Sequence, residues 1–526
     1  MRALIAALLV ALAAPPVRAA PSFVFVLLDD ASALEMNHAA AMPETHRLVR
    51  VGGVELTRFY ISNPICGPSR ATFLTGRYSH SHGVRNNSPP PRGRGGWGRF
   101  RVPGPESQTI AVWLKAAGYR TALVGKYVNE YAHEPEDITV VPPGYDYWAS
   151  PLHRQGIEGA GQGEPGRRSS VYNYGRAVEH ASDGSMVQRD DPFRVNLNGT
   201  VVTVNPPGDA DVHATDWYRD RAIEFIETIP AGTPFFLAFW PVAPHHPWLV
   251  PVRHAAEFAG AEYPTGASHN EADTTDKPSW LVRSSDVDMA DINARWRGRL
   301  GSVRAVDDAI RAIADRLEAL GRLADTCFIV TSDNGFHMGQ HRLAAGKNSA
   351  FEEDVRVPLW ISGPGLARGA MVDLLTVNTD FAPTVLDLAG VPAPAGQALD
   401  GRSLKTVVDA DRGNDPKSWH RSVLLAHDDE ERTFGGYLDL PDFRGLRSER
   451  YTFVEYLDGN GNRIADTDRF ELYDNVADPF QLENLCDGDP DACGDARRKA
   501  ELVARVADLA GCRSSACRAA EDADVP

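Results

Sequence analysis

Apolar residues fall along this chain in short unbroken runs rather than in alternation. Ser22 to Leu28 (SFVFVLL), Tyr119 to Val124, Phe235 to Trp240 and Cys327 to Val330 are such runs. Each has the length of a strand covered on both faces, as in a parallel sheet. Helical spacing lies between them. Residues 107 to 117 predict a helix, with Ser107 as candidate N-cap and Gly118 as its stop. Thr215 to Ile229 predicts a second. Ala290 to Leu320 predicts a long third, with Ile292, Leu300, Val303, Val306, Ile310, Ile313 and Leu317 on one face and Gly321 ending it. This alternation implies a large α/β fold with a mainly parallel central sheet flanked by helices. After about residue 405 the pattern changes. Tyr451 to Tyr456 and Phe470 to Asp474 read as strands around an Asp458-Gly459-Asn460-Gly461 turn. They predict a smaller C-terminal α+β subdomain, 406–526, with an antiparallel sheet and a Cys-rich tail, after a main domain over 20–405. Residues 86–105, 150–215 and 259–279 read as loops, the second as an insertion over the active-site edge. There are no internal repeats.

The strand ends carry the chemistry. Asp29-Asp30, Lys126, His245 and Asp333-Asn334 each follow the C-terminal end of an apolar run. In open α/β sheets that is the edge where ligands bind. Adjacent aspartates repel without a cation nearby. Hard oxygen donors of this kind suit Ca²⁺ or Mg²⁺ rather than zinc, although either pair alone could be a cap or a turn.

Composition narrows the class. Of 526 residues, 43% are hydrophobic, with mean hydropathy −0.31. The first residues differ: Arg2, an apolar run from Ala3 to Ala14, then Pro15-Pro16-Val17-Arg18-Ala19. This reads as a secretory signal peptide over 1–19, too short for a membrane span, and no other apolar run approaches spanning length. A secreted or periplasmic protein without an integral membrane segment is expected. The net charge is −17 and becomes −19 without Arg2 and Arg18, which argues against nucleic acid as a partner. An anionic substrate would need a local positive site. Arg92, Arg94, Arg99 and Arg101 could meet an anionic ligand or simply be solvated. Of six cysteines, Cys486, Cys493, Cys512 and Cys517 cluster near the end and suggest two disulfides. Pairing 486 with 493 and 512 with 517 closes two short loops, but spacing does not fix connectivity. Cys327 reads as a core residue, and Cys66 is left unpaired.

Cys66-Gly67-Pro68-Ser69-Arg70 continues through Leu74-Thr75-Gly76-Arg77. It reads as a loop entering a helix, with Pro68 in the first turn and Cys66 against an N-terminus that favours anions. The string C-x-P-S-R-x-x-x-L-T-G-R resembles the type I sulfatase signature of the alkaline-phosphatase superfamily, and the resemblance runs over roughly residues 20–485. It implies that a maturation enzyme converts Cys66 to formylglycine (3-oxoalanine), whose hydrate is the nucleophile. Asp29, Asp30, Asp333 and Asn334 would hold a divalent cation, most often Ca²⁺, with the modified Cys66 as a further ligand. Arg70 would hold the hydrate, Lys126 and Lys347 the sulfate oxygens, and His245 the leaving-group oxygen. One hydroxyl of the hydrate would attack sulfur, and the other would then expel sulfate.

One position departs from the pattern. Many sulfatases carry histidine two residues after the first lysine; here that residue is Val128. Gly125-Lys126-Tyr127-x-Asn129-x-Tyr131, Pro244-His245-x-Pro247-Trp248 and Asp333-Asn334-Gly335-Phe336-His337-x-Gly339-Gln340 resemble instead the N-acetylglucosamine-6-sulfatase and extracellular endosulfatase subgroup. His337 or His341 is then a candidate for the missing role, Asn129 a candidate substrate contact, and His246 the fallback for His245. The expected substrate is a 6-O-sulfated glucosamine-type sugar or an aryl sulfate. A formylglycine-dependent phosphonate monoester or phosphodiester hydrolase is the nearest rival. A sulfated-glycan-binding protein with an unconverted cysteine is the next.

Overall fold

The computed structural model describes residues 20–88, 95–101, 104–132, 134–152, 175–204, 212–282, 287–393, 396–409, 419–428, 440–458, 464, 470–486, 493 and 495–525. The expected signal peptide, Arg92, Arg94 and most of the 458–461 turn lie outside the described residues.

The strands, in chain order, are β1 (Ser22–Leu28), β2 (Val54–Tyr60), β3 (Arg120–Gly125), β4 (Tyr147–Pro151), β5 (Gly175–His180), β6 (Met186–Asp191), β7 (Phe193–Leu197), β8 (Thr200–Val204), β9 (Phe235–Trp240), β10 (Thr326–Ser332), β11 (Arg356–Ser362), β12 (Ala370–Val377), β13 (Ser422–His427), β14 (Asp442–Ser448), β15 (Tyr451–Leu457) and β16 (Phe470–Asp474). Ten of them form one sheet in the order β12-β2-β11-β10-β1-β9-β3-β4-β7-β8. Its centre, β10-β1-β9-β3-β4, is parallel throughout. The chain thus has the expected mainly parallel α/β architecture, with antiparallel strands toward both edges.

The helices that matter here are α1 (Cys66–Thr75), α2 (Ile110–Ala116), α3 (Ala214–Glu227), α4 (Met289–Ala319) and α5 (Phe381–Ala389). Successive β1 side chains point to opposite faces. Val24, Val26 and Leu28 pack with Leu300, Val303 and Ile310 of α4 and with Phe225 of α3. Phe23, Phe25 and Leu27 pack with Phe73 and Leu74 of α1, Leu114 of α2 and Phe381 of α5. Each fully buried side chain of this kind contributes roughly 1.5–3 kcal/mol, which is why the central strand is apolar without interruption.

Three sequence expectations are corrected. The 107–117 helix begins at Ile110, because Thr109 is extended and no side chain caps it. Residues 86–105 are not wholly a surface loop: Gly96–Arg101 is helical and buries Trp97 and Phe100, two aromatics a polar loop would not sink. Residues 150–215 are not simply irregular either. The β5–β6 pair forms its own hairpin, and β7–β8 extend the main sheet beyond β4.

The C-terminal sheet is antiparallel, β13-β14-β15-β16. Helices α6 (Ala496–Gly511) and α7 (Ser515–Asp522) follow it. Cys486 is bonded to Cys493 and Cys512 to Cys517, while Cys66 and Cys327 are free and buried. No helix among the described residues is long and apolar enough to cross a membrane.

Candidate active site

The register of the central strands assembles the site. In β1 and β10, Leu28 pairs with Ser332, so Asp29-Asp30 and Asp333-Asn334 leave the sheet side by side. The Asp333 N–H donates to the Leu28 carbonyl at 3.0 Å, and the Asp30 N–H donates to Asp333 Oδ1 at 3.0 Å. On the other flank Gly125 of β3 pairs with Trp240 of β9, and the Lys126 N–H donates to the Trp240 carbonyl at 2.8 Å. The Asp29 N–H donates to the Ala243 carbonyl at 3.1 Å, which ties the segment carrying His245 to the same edge.

Cys66 opens α1, preceded by an extended Ile65. All ten residues of the helix are buried, and Gly76 ends it in the left-handed conformation at φ 65°. The Gly67 N–H donates to Asn87 Oδ1 at 2.7 Å. Cys66 Sγ lies 2.7 Å from Lys347 Nζ, 3.5 Å from Asp29 Oδ1 and 3.6 Å from Asp30 Oδ1. Ligand atoms of Cys66, Asp29, Asp30 and Asp333 all lie within 4.8 Å of one another.

Three cations face the three buried carboxylates. Lys126 Nζ donates to both Asp29 oxygens, at 2.8 and 2.7 Å. Arg70 Nε donates to Asp333 Oδ2 at 2.8 Å, and its Nη1 to the Lys126 carbonyl at 2.7 Å. Lys347 also donates to Asp30 Oδ1. Taking so many charges out of water is costly unless each is paired, and the pairing sets the protonation states. Burial disfavours ionisation of Asp30, but Lys347, His245 and Lys126 outweigh it and hold that carboxyl well below its usual range. Burial raises Asp333, only partly offset by Arg70. Burial pushes the Cys66 thiol well up, against the pull of Lys126 and Lys347.

The donor set fits a hard divalent cation. Asp29, Asp30 and Asp333 offer clustered carboxylate oxygens. Asn334 Nδ2 donates to Asp30 Oδ1 at 2.9 Å, while its buried Oδ1 has no hydrogen-bond partner. An unpaired buried amide oxygen beside three carboxylates is the acceptor surplus a Ca²⁺ or Mg²⁺ ion relieves.

His245 Nε2 lies 3.8 Å from Asp30 Oδ2, and its Nδ1 lies 2.8 Å from the His246 carbonyl, to which it can donate. Burial and the nearby Lys126 lower its pKa to about 3. His246 turns to meet Trp248 edge-on, at 4.7 Å between ring centres. Asn129 lies beside Gly67, and its buried Oδ1 has no hydrogen-bond partner. Val128 is buried in the apolar layer under the sheet. His337 Nδ1 sits 2.9 and 3.0 Å from the two oxygens of Asp354, and Asp354 raises its pKa despite burial. His341 Nδ1 is 2.7 Å from Glu271 Oε2, and its ring stacks on Phe351. Both histidines thus direct Nδ1 at Asp354 and Glu271, away from Cys66 and the three carboxylates.

The residues that sequence reasoning missed support the site from behind. Asp354 Oδ2 accepts from the Ser349 N–H and Oγ, at 2.9 and 2.6 Å. His337 and Gly346 exchange backbone hydrogen bonds at 2.9 and 3.0 Å. Together they brace the loop that carries Lys347. Arg299 and Glu35 lie beneath Asp30. Of these only Glu35 belongs to a local motif, the Ser32-x-x-Glu35 capping box; burial alone reveals the rest.

The sulfatase family model matches residues 21–391, and the N-sulphoglucosamine sulphohydrolase C-terminal model matches 339–505. The chain is 32% identical over 414 residues to a Caenorhabditis elegans extracellular sulfatase Sulf-1 homologue, covering 76% of this chain but only 52% of that protein. It is 27% identical to human N-acetylglucosamine-6-sulfatase, covering 95% of this chain and 86% of that one. Among solved structures, a protein in complex with its substrate D-glucosamine-2-N,6-O-disulfate overlays with a TM-score of 0.66 at 22% identity, over 94% of this chain and 97% of that chain. A phosphonate monoester hydrolase of Agrobacterium radiobacter overlays with the same TM-score and identity, over 93% and 96%. With the matched region running from β1 through α5 and so containing every residue of the cluster around Cys66, the chain belongs to the sulfatase family of sulfuric ester hydrolases.

Proposed function

We propose that this chain is an exported enzyme that hydrolyses sulfate monoesters, with 6-O-sulfated glucosamine-type sugars as its substrate class and aryl sulfates as accessible surrogates. One observation carries the reading. A buried cysteine at the head of α1 touches Lys347, in a cluster of three carboxylates and three cations. A structural thiol needs no such surroundings.

Asp29, Asp30, Asp333 and Asn334 would hold Ca²⁺, or Mg²⁺ in its place. When bound, that cation supplies positive charge at the sulfuryl oxygens. Formylglycine made from Cys66 by a maturation enzyme would supply the nucleophile. The chain's own side chains do the rest. Lys126 and Lys347 present ammonium groups as point charges for sulfate oxygens. Arg70, fixed by Asp333 and stacked 5.3 Å above the Trp240 ring, holds the nucleophilic residue's oxygen in place. His245, neutral in the substrate-free site, would sit near the leaving-group oxygen as its stabiliser or, once protonated, as the proton donor to the departing alcohol. His337 and His341 are the candidates for the base that Val128 does not supply.

The test is release of inorganic sulfate by the purified, matured protein from N-acetylglucosamine-6-sulfate and p-nitrophenyl sulfate, beside a phosphonate monoester and a phosphate diester. Faster turnover of the sulfates is expected. Preference for the phosphorus esters would move the chain to the second reading, whose fold is the same. An unconverted Cys66 with no turnover of any ester would leave the third reading, a sulfated-glycan-binding role.

A further inference from the structure

We infer that Arg299 is a positioning residue that sets the geometry of the Asp29-Asp30 turn for the divalent cation. The inference rests on the cation reading above and adds a residue that touches neither cation nor substrate. Asp30 adopts φ 66°, a left-handed conformation that a non-glycine residue holds only at a cost, so something must keep it there. Arg299 lies at the middle of α4, completely buried. Its Nη2 donates to the Asp30 carbonyl at 2.5 Å, and its Nε donates to Glu35 Oε1 at 2.5 Å.

Glu35 in turn closes the turn that follows Asp30. Its Oε2 accepts the Ser32 N–H at 2.8 Å and bonds the Ser32 hydroxyl, completing a capping box on the short helix Ala33–Met36. The Arg299 guanidinium also lies 4.2 Å from the Phe336 ring centre, two residues beyond Asn334. One side chain therefore touches both cation-bearing loops, through the Asp30 carbonyl on one side and the Phe336 face on the other. A planar guanidinium can span these partners; an ammonium cannot. Outer residues that orient ligands in this way typically change metal affinity 10- to 100-fold when removed.

The test is calorimetric titration of the full chain with CaCl₂ after EDTA treatment, with melting temperature in EDTA recorded for each variant. The paired change Arg299→Met/Glu35→Gln removes the spanning contact without leaving a buried carboxylate charge. It is expected to weaken Ca²⁺ binding about tenfold or more. Arg299→Lys keeps the charge beside Glu35 and is expected to lose affinity in the same direction; it decides the matter if the pair does not fold. Arg304→Met serves as the control, since Arg304 pairs with Asp307, Asp308 and Glu257 on the outer side of the same helix. It should lower the melting temperature while leaving Ca²⁺ affinity unchanged. Unaltered affinity in the folded Arg299 variants, or an equal loss in Arg304→Met, would overturn the inference. Absence of Ca²⁺ binding by the wild-type chain would instead remove the cation reading on which it depends.

Discussion

At the scale of single residues, the proposed roles separate charge that would attract the substrate from charge that would hold the cation. Lys126 and Lys347 sit directly on Asp29 and Asp30, so removing either ammonium leaves a cation site that is more negative. Lys126→Ala and Lys347→Ala are therefore expected to lose about 100-fold or more in kcat/KM while binding Ca²⁺ as tightly as the wild type or more so. Asp30→Asn should lose both. Steady-state kinetics with calorimetry would separate these outcomes; lysine variants that lost Ca²⁺ binding would contradict the assignment. His245 gives a second test. A proton donor matters most for a poor leaving group, so His245→Ala should slow a sugar sulfate far more than p-nitrophenyl sulfate. An equal loss on both would assign His245 to binding.

At the scale of elements, much was legible because parallel strands advertise themselves. β1, β9 and β10 are buried along their whole length around the unbroken apolar runs Phe23 to Leu28, Phe235 to Trp240 and Cys327 to Val330, and candidate site residues follow each. Register then makes neighbours of Asp29-Asp30 and Asp333-Asn334, 303 positions apart, which no local pattern reveals. What was not legible were contacts between elements. Arg299 reads as one more polar residue in a charged stretch of α4, and Trp97 and Phe100 hide in a Gly- and Arg-rich segment. Gly125 shows how tightly the delivery is built. It sits at φ 118°, and an added Cβ would meet the Trp240 carbonyl at 1.9 Å. Gly125→Ala is expected to cost about 1–3 kcal/mol or more in urea unfolding and to displace Lys126 with it. Unchanged stability and activity would show that this strand end tolerates movement.

At the scale of the whole molecule, a buried charge cluster pins α7 to the segments that follow α1 and precede α5. His420 Nε2 lies 2.9 Å from Asp380 Oδ2 and its Nδ1 3.0 Å from Glu521 Oε2, and Tyr78 donates to Glu521 Oε1 at 2.5 Å. Burial alone would lower the His420 pKa, but Asp380 and Glu521 raise it from the ordinary 6.5 to about 9. The folded value exceeds the unfolded one, so the stabilisation is complete below about pH 6.5 and is lost as pH rises through about 9. At about 1.4 kcal/mol per unit this amounts to roughly 3 kcal/mol. The melting-temperature gap between wild type and His420→Gln should thus be widest near pH 6, shrink between about pH 6.5 and 9, and change little above that. A gap that did not change with pH would mean that the imidazole is neutral throughout.

The central claim is that Cys66 is the precursor of the nucleophile, and the mass of the tryptic peptide spanning residues 59–70, from protein made in its native host, tests it most directly. Conversion of the thiol to the aldehyde is expected to lower that mass by about 18 Da. A peptide carrying only unmodified cysteine would contradict the account and withdraw the chemical roles given to the residues around it.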